Sequence, residues 1–183
     1  MAWGLKRYQK TRQSHFVTFC CYHRCKLLTT DESRRTFEAA LERVRSTYKL
    51  RVYAYVIMPE HVHLLLSEPE RGILSDALKS LKQGVSRRLI GKAQHFWQKR
   101  YYDFNIRNYP QFIEKVKYIH RNPVKRGLCE RPEDWEWSSF RHYATGCEGR
   151  VEIESEWTAR KRERAEGKLR PAITLPHSSQ NQA

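Results

Sequence analysis

The sequence predicts an α+β protein in which helices pack on an antiparallel sheet. Short runs rich in aromatic and β-branched residues predict strands, and longer segments with apolar residues every three or four positions predict helices. These segments follow one another in the order β-α-β-β-α-β, and the 183 residues are enough for one well-buried domain. The order is that of a ferredoxin-like split βαβ sandwich.

The first four elements are predicted from residues 15–66. The run His15–Tyr22 is rich in aromatic and β-branched residues and predicts a strand. Asp31 is expected to cap a helix that continues to about Tyr48. The runs 52–57 and 64–66 predict two further strands, joined by a tight turn at 58–60.

The last elements of the frame are predicted from residues 73–127. Residues 73–90 have a helical apolar stripe, and residues 96–106 resemble a strand. Asn108 is expected to cap an added helix with Pro110 in its first turn. We expect this helix to end before Pro123 and Gly127.

The sequence divides into a domain at residues 1–147 and a charged extension at residues 148–183. A helix is expected across residues 152–166. The end of the chain, residues 167–183, contains Pro, Ser, Gln and Asn and is expected to be disordered.

The charge pattern favours a polyanionic partner. The chain carries a net charge of +15, and residues 79–126 alone contain thirteen bases and two acids. A basic surface kept for solubility would normally intersperse both signs, so nucleic acid is the favoured partner.

Membrane and disulfide classes are disfavoured. No apolar run approaches the roughly 20 residues of a spanning helix. The five cysteines are odd in number and form no Cys-x-x-Cys pair, which favours a reducing cytoplasm.

The tripeptide His61-Val62-His63 is a candidate metal site. In an extended strand, residues two apart project from the same face, so the two imidazoles point together. Neutral imidazoles at this spacing can share a divalent cation. The alternative is that both histidines lie on a wetted sheet face.

The added helix contains a candidate nucleophile. At 3.6 residues per turn, Tyr118 points away from the apolar face marked by Val116, and Asn122 lies on the same side one turn later. Lysine and arginine side chains around the phenol would attract phosphate. The alternative is an exposed tyrosine on a basic helix.

Three motifs resemble a known family. They are the run 58–63 with its paired histidines, the run 118–127 (Tyr-Ile-His-Arg-Asn-Pro-Val-Lys-Arg-Gly), and the run 134–140 (Asp-Trp-Glu-Trp-Ser-Ser-Phe). Together they resemble the REP-associated tyrosine transposases, a branch of the IS200-like single-tyrosine HUH transposases. The resemblance covers about residues 8–143, and phosphate-binding glycine loops are absent from the sequence.

The resemblance implies an enzyme that cuts single-stranded DNA through a 5′-phosphotyrosine link and leaves a free 3′-hydroxyl. It implies Tyr118 as the nucleophile, His61 and His63 as ligands of Mg²⁺ or Mn²⁺, and Asn122 as a third polar ligand. The expected partner is DNA with REP-type hairpins, bound by a monomer or homodimer associated with the nucleoid in the cytoplasm.

The candidate DNA contacts are mostly basic. Aromatic residues between 97 and 104 could stack on bases, although about half of them should face the core. The basic residues near the N-terminus form either a phosphate-gripping arm or a solvated leader. The full set is Lys6, Arg7, Arg12, Lys82, Arg87, Arg88, Lys99, Arg100, Tyr101, Arg107, Arg121 and Lys125.

Two other functions remain open at this stage. One is a nucleic-acid-binding protein without catalysis, which would not need Tyr118 or the histidines. The other is a metal-dependent nuclease that uses water as the nucleophile, in which Tyr118 would be incidental.

Overall fold

A computed structural model describes residues 13–90 and 95–167 of the chain. Short 3-10 turns lie at Tyr22–Arg24 and Pro132–Asp134. The strands are β1 (Ser14–Cys20), β2 (Val52–Ile57), β3 (His61–Ser67) and β4 (Tyr102–Ile106). The helices are α1 (Asp31–Tyr48), α2 (Leu74–Leu89), α3 (Tyr109–Lys125), α4 (Phe140–Thr145) and α5 (Glu156–Ala165).

The four strands form one sheet in the order β2-β3-β1-β4, and every neighbouring pair is antiparallel. The first and third strands therefore lie at the centre, as a split βαβ arrangement requires. The predicted α+β class and ferredoxin-like order are confirmed, with α3 as the addition to the frame.

Side chains alternate between two apolar cores on the two faces of the sheet. On one face, Val17 and Phe19 of β1 pack with Phe37 of α1 and Leu78 of α2. On the other face, a smaller core joins sheet residues such as Leu65 to Val116 and Ile119 of α3. Helix α3 therefore lies against the face opposite α1 and α2, where Trp135 and Tyr143 also pack.

The N-cap of α1 is Thr30, not Asp31. The Thr30 hydroxyl accepts a hydrogen bond from the Ser33 amide at 3.1 Å, and the Ser33 hydroxyl accepts one from the Thr30 amide at 3.2 Å. This reciprocal pair satisfies two amides that the first turn would leave unpaired. Asp31 instead lies in the first turn, where its charge interacts favourably with the helix dipole.

The last strand is shorter than predicted. Only Tyr102–Ile106 pairs along β1, while Trp97 makes a single bridge with Cys21. The Trp97 ring packs edge-on against Phe19, with ring centroids 4.9 Å apart, and its Nε1 donates to the Lys82 carbonyl of α2. The aromatic residues at 96 and 97 are therefore core residues, and the prediction of one strand over 96–106 was wrong for its first half.

Helix α3 does not end before Pro123. The proline is buried within the helix, which continues to Lys125. The chain leaves the helix at Gly127, whose φ of 67° is the left-handed conformation that glycine adopts without steric cost. The extra turn places Arg126 beside the residues that precede His61, which matters for the site described below.

The segment after α4 returns to the core. Val151 and Ile153 are buried with the larger core, and the Glu154 amide donates to the Val52 carbonyl at 2.8 Å. The predicted helix over 152–166 is found as α5, at Glu156–Ala165. The division at residue 147 stays a prediction, and residues 168–183 of the tail expected to be disordered lie outside the described part of the chain.

No helix within the described ranges is long and apolar enough to cross a membrane.

A buried polar cluster joins β1, β3 and β4 through His15. Its Nδ1 lies 2.8 Å from the Asp103 carboxylate, and its Nε2 lies 3.4 Å from that of Glu68. Burial lowers the pKa of His15, but the hydrogen bonds and charges of the two carboxylates outweigh burial and hold the pKa above its usual 6.5. The protonated ring therefore stabilises the fold.

We expect the stabilising contribution of His15 to depend on pH. Because the folded pKa exceeds the unfolded one, this contribution is complete below about pH 6.5 and is lost as the pH rises through the folded value. Denaturant unfolding of wild-type and His15→Gln protein at several pH values should show the largest difference in acid and a smaller one above neutrality. His95→Gln, at an exposed histidine, is the control and should show no such trend. A His15→Gln difference that is constant with pH would contradict the assignment.

Candidate active site

The face of the sheet that meets α3 carries the paired histidines. In β3, Val62 and Leu64 point into the larger core, so His61 and His63 project toward α3. On the neighbouring strand β1, Thr18 lies opposite His63 in the pairing register. The predicted common orientation of the two imidazoles is confirmed.

The two imidazoles converge through their Nε2 atoms, which lie 3.0 Å apart. Each Nδ1 has an oxygen partner: that of His61 lies 3.1 Å from a Glu60 carboxylate oxygen, and that of His63 lies 2.7 Å from the Thr18 hydroxyl. With each Nδ1 acting as the donor, both Nε2 atoms present lone pairs to the same point. Two lone pairs facing at this distance repel each other unless a cation lies between them.

Burial keeps both rings neutral. It lowers the pKa of His61, although the Glu60 carboxylate partly opposes the effect. Burial and the neighbouring His61 lower the pKa of His63 to about 3. Neutral imidazoles are the form that binds metal, so no proton has to be displaced near neutral pH.

Asn122 of α3 completes the group from the helix side. Its side chain is buried, with Nδ2 3.3 Å from His63 Nε2. No described residue hydrogen-bonds its Oδ1, which is also buried. Rotation of the amide by 180° exchanges the two atoms and turns the oxygen toward the histidines, where a bound cation would supply the partner that the oxygen lacks.

The donor set fits a divalent cation. Two neutral imidazole nitrogens and one amide oxygen are donors for a divalent cation and leave positions for phosphate oxygens. The 3.0 Å between the nitrogens is close to the spacing of adjacent ligands on an octahedral ion with bonds of about 2.1 Å. The described residues contain no group of three His, Cys, Asp or Glu that could hold a metal, so the third donor available beside the histidines is the Asn122 amide.

Tyr118 lies beside this group. Its ring centroid is 5.2 Å from that of His63, with the two planes at 74°, and 5.7 Å from that of Phe16. The residue is 36% exposed, so one edge packs while the rest faces solvent. The structure therefore brings Tyr118, Asn122 and both histidines together at one place.

Two lysine side chains border the Tyr118 ring. The Lys115 ammonium lies 6.0 Å from the ring centroid and the Lys125 ammonium lies 5.7 Å from it. Both are within the range of cation–π attraction, and both place positive charge where a phosphate would approach the phenol.

The predicted DNA contacts fall on two separate surfaces. The α3 surface contains exposed Arg121 and Lys125 next to Tyr118. The α2 groove, a cavity of about 440 Å³ between α2 and the segment before β4, contains Lys82, Arg87, Lys99 and Tyr101. Helix α2 packs on the sheet face opposite α3, so the groove and Tyr118 are on different sides.

Several of these residues have distinct surroundings. Arg88, Arg100 and Arg107 are exposed. Lys82 is half-buried, and its ammonium donates to the Gln98 carbonyl at 2.6 Å, which links α2 to the following segment. Lys6, Arg7 and Arg12 lie outside the described residues. None of these contacts has been tested, and all stay predictions.

The aromatic residues at 101 and 102 point to opposite faces of the sheet, as the alternation of side chains along a strand requires. Tyr101 packs against the larger core, whereas Tyr102 lies opposite Thr18 on the α3 face and is 45% exposed. Tyr102 is therefore the aromatic residue of this run best placed to contact a base near Tyr118.

The sequence analysis did not predict three residues that contact the site in the structure: Thr18, Glu60 and Arg126. Glu60 precedes His61 directly, so its proximity could have been suspected. Thr18 reaches His63 only through strand pairing, and Arg126 reaches Glu60 only because α3 continues past Pro123.

A split βαβ sheet that presents paired histidines to a tyrosine-bearing helix defines the chain as a tyrosine transposase of the HUH class. The comparisons agree: a family model described as "Transposase IS200 like" matches residues 9–122. The chain belongs to the IS200-like transposase family.

Three similar proteins are REP-associated tyrosine transposases, a branch of this family. A Haemophilus influenzae protein assigned by name to the REP-associated tyrosine transposases is 30% identical over 139 residues, which are 69% of this chain and 78% of that protein. The Escherichia coli K12 REP-associated tyrosine transposase is 29% identical over 64% of this chain and 69% of its own length. A REP-associated tyrosine transposase structure bound to a REP hairpin superposes with a TM-score of 0.69 at 26% identity, covering 84% of this chain and 92% of that one. The resemblance inferred from the sequence motifs is confirmed.

We expect Asn122→Ala to weaken Mn²⁺ binding about tenfold, or about 1.4 kcal/mol, because it removes one oxygen donor. Asn122→Asp should keep or raise the affinity, since it supplies a charged oxygen at the same position. Titration calorimetry without DNA measures both. Equal affinity of the alanine variant and the wild type would show that Asn122 is not a ligand.

Proposed function

We propose that this transposase cleaves and rejoins single-stranded DNA, with Tyr118 as the nucleophile and a divalent cation, Mg²⁺ or Mn²⁺, bound by His61, His63 and Asn122. The observation that carries the proposal is the contact between the Tyr118 ring and His63, whose Nε2 converges with that of His61. A candidate nucleophile, a buried set of neutral donors and positive charge meet on the side of the sheet that α3 covers.

The covalent step exchanges one phosphoester bond for another. The Tyr118 oxygen attacks the phosphorus of the scissile phosphate, and the bond from phosphorus to the 3′-oxygen breaks. The phenol loses its proton, and the 3′-oxygen gains one and leaves as a hydroxyl. The 5′-phosphate remains on Tyr118, so the bond energy is conserved and a second 3′-hydroxyl can reverse the step.

The residues around the nucleophile have separate tasks in this proposal. Lys115 and Lys125 attract the phosphate and offset the negative charge that gathers on its oxygens. Packing of Tyr118 against Phe16 and His63 restricts the direction from which its oxygen reaches the phosphorus. The cation, when bound, polarises the scissile phosphate as a Lewis acid.

The proposed substrate is a DNA hairpin with an unpaired foot. The structural relative is bound to a REP hairpin, and this chain superposes on it over 84% of its length. Exposed basic residues, such as Arg87 and Arg88 beside the α2 groove and Arg121 and Lys125 on the α3 surface, supply phosphate contacts on both surfaces. Exposed Tyr102 beside Thr18 offers an aromatic face to an unpaired base next to Tyr118.

We expect Tyr118→Phe to abolish cleavage and leave DNA affinity within about twofold, because it deletes one oxygen and no charge. Labelled hairpin DNA incubated with Mg²⁺ should give a denaturant-stable protein–DNA adduct with the wild type and none with the variant.

Tyr109→Phe is the matched control, because Tyr109 is an exposed tyrosine at the first position of α3, well before Tyr118 in sequence, and this variant should form the adduct normally. An adduct that persists in Tyr118→Phe would place the nucleophile elsewhere. Cleavage by the wild type without an adduct would favour a water-using nuclease, and binding without cleavage would favour a non-catalytic protein.

DNA binding should be salt-dependent and selective for unpaired strands. We expect a hairpin with a single-stranded foot to bind more tightly than a blunt duplex of the same sequence, and cutting to occur in the unpaired part. A paired backbone is too stiff to approach a buried histidine pair. Replacing Arg87 and Arg88 with Ala should lower the affinity and reduce the slope of log K against log salt by up to about 0.9 per lost phosphate contact.

The matched control replaces Arg51 and Arg71, two exposed arginines outside residues 79–126 without an ion pair to any described residue. Changing both to Ala removes the same net charge. An equal loss of affinity would therefore show that Arg87 and Arg88 act through the net charge of the protein and not through local phosphate contacts. Equal affinity and equal cutting of the duplex would defeat the proposed substrate.

A further inference from the structure

Glu60 lies at the junction between the turn before β3 and the end of α3. Its side chain is buried, and one carboxylate oxygen, Oε1, meets two groups: His61 Nδ1 at 3.1 Å and the Arg126 guanidinium at 2.9 Å. Its backbone is also held, because its carbonyl accepts a hydrogen bond from the Cys21 amide at 2.8 Å. Contacts of both the side chain and the backbone of Glu60 therefore fix the position of its carboxylate.

A carboxylate at this place selects the tautomer of His61. An ionised carboxylate only accepts hydrogen bonds, so the His61 nitrogen facing it must carry the proton. The proton on Nδ1 leaves Nε2 with a free lone pair, directed at His63 Nε2 3.0 Å away. The Thr18 hydroxyl, 2.7 Å from His63 Nδ1, holds the orientation of that ring from the other strand, but a hydroxyl can donate or accept and so does not select the tautomer.

Arg126 connects this carboxylate to the nucleophile helix. It is the first residue after α3, eight positions beyond Tyr118, and its amide is bonded to the Asn122 carbonyl at 3.0 Å. The contact Arg126–Glu60–His61 thus joins the end of the helix that carries Tyr118 and Asn122 to the strand that carries the histidines.

We propose that Glu60 and Arg126 are positioning residues: Glu60 holds His61 in the tautomer whose Nε2 can bind a metal, and Arg126 fixes Glu60 while it sets the C-terminal end of α3 against β3. This inference rests on the metal-binding role proposed for His61. It assigns roles to two residues that touch neither the metal nor the phosphate.

A simple charge effect makes the opposite prediction for Arg126. Its guanidinium is a positive group near the proposed cation, so electrostatic repulsion alone would make Arg126→Ala bind Mn²⁺ more tightly. The positioning role predicts weaker binding, because the carboxylate loses its anchor and the ring its fixed orientation. The direction of the change therefore separates the two explanations.

The first measurement is the tautomer of His61 in metal-free protein, from the ¹⁵N chemical shifts of its ring nitrogens. We expect the Nδ1-protonated form in the wild type and in Arg126→Lys. In Glu60→Gln the amide oxygen can take the place of Oε1 and accept from both Arg126 and His61, so the Nδ1-protonated form should remain. Glu60→Ala removes the acceptor and should give a mixture of the two tautomers. A ring that stays wholly Nδ1-protonated in Glu60→Ala would overturn the role of Glu60.

The second measurement is Mn²⁺ affinity without DNA, from the free-ion electron paramagnetic resonance signal. Loss of a residue that orients a metal-ligating histidine typically costs 10–100-fold in affinity, and we expect a loss of that order in Glu60→Ala, whereas Glu60→Gln, which keeps the acceptor oxygen, should keep most of the affinity. Arg126→Ala should show a smaller loss, and Arg126→Lys should restore most of it. Glu130→Gln, at an exposed carboxylate just beyond α3, should bind Mn²⁺ as the wild type does.

The outcomes are distinguishable. Tighter Mn²⁺ binding in Arg126→Ala, or binding unchanged in Glu60→Ala, would overturn the inference while the proposed function stands. A wild-type protein that binds no Mn²⁺ would overturn the metal assignment itself. Should Glu60→Ala fail to fold, Glu60→Leu, which fills similar space without an acceptor, and the Arg126 pair still decide the result.

Discussion

The pairing of β1 with β3 is the constraint on which the rest of the structure depends. It forms the centre of the sheet, and its register sets Thr18 opposite His63. A shift of one residue would turn both histidines into the α1–α2 core and bring Val62 and Leu64 to the α3 face. Burial of those two apolar residues thus fixes the direction of the imidazoles, so the packing that stabilises the fold also aims the candidate metal ligands.

Helix α3 contributes side chains both to the smaller core and to the candidate site. Val116 and Ile119 anchor it to the smaller core, and this leaves Tyr118 and Asn122 along the edge that meets the histidines. Its basic side chains face outward around the phenol. The continuation of the helix through Pro123 is needed for this arrangement. Only the extra turn brings Arg126 to Glu60, and this contact joins the C-terminal end of α3 to the start of β3.

The site combines neutral donors with a cationic surface. Burial removes the charge that His61 and His63 would otherwise carry in acid, so they do not repel a metal ion. The positive charge is carried instead by Lys115 and Lys125 at the border of the Tyr118 ring. The basic residues of the α2 groove, among them Lys82, Arg87 and Lys99, lie on the other side of the sheet from Tyr118.

The sequence by itself determined the order of the elements, the common face of His61 and His63, and the location of Tyr118 off the apolar stripe of its helix. These features follow from local periodicity, which depends only on residues near in sequence. Tertiary structure alone decided that Thr18 orients His63, that Trp97 leaves the sheet for the core, and that Arg126 meets Glu60. Those contacts join residues from 45 to 78 positions apart or depend on packing that overrides a local signal, such as the proline inside α3. No periodicity can encode them, because they exist only when distant segments are packed together.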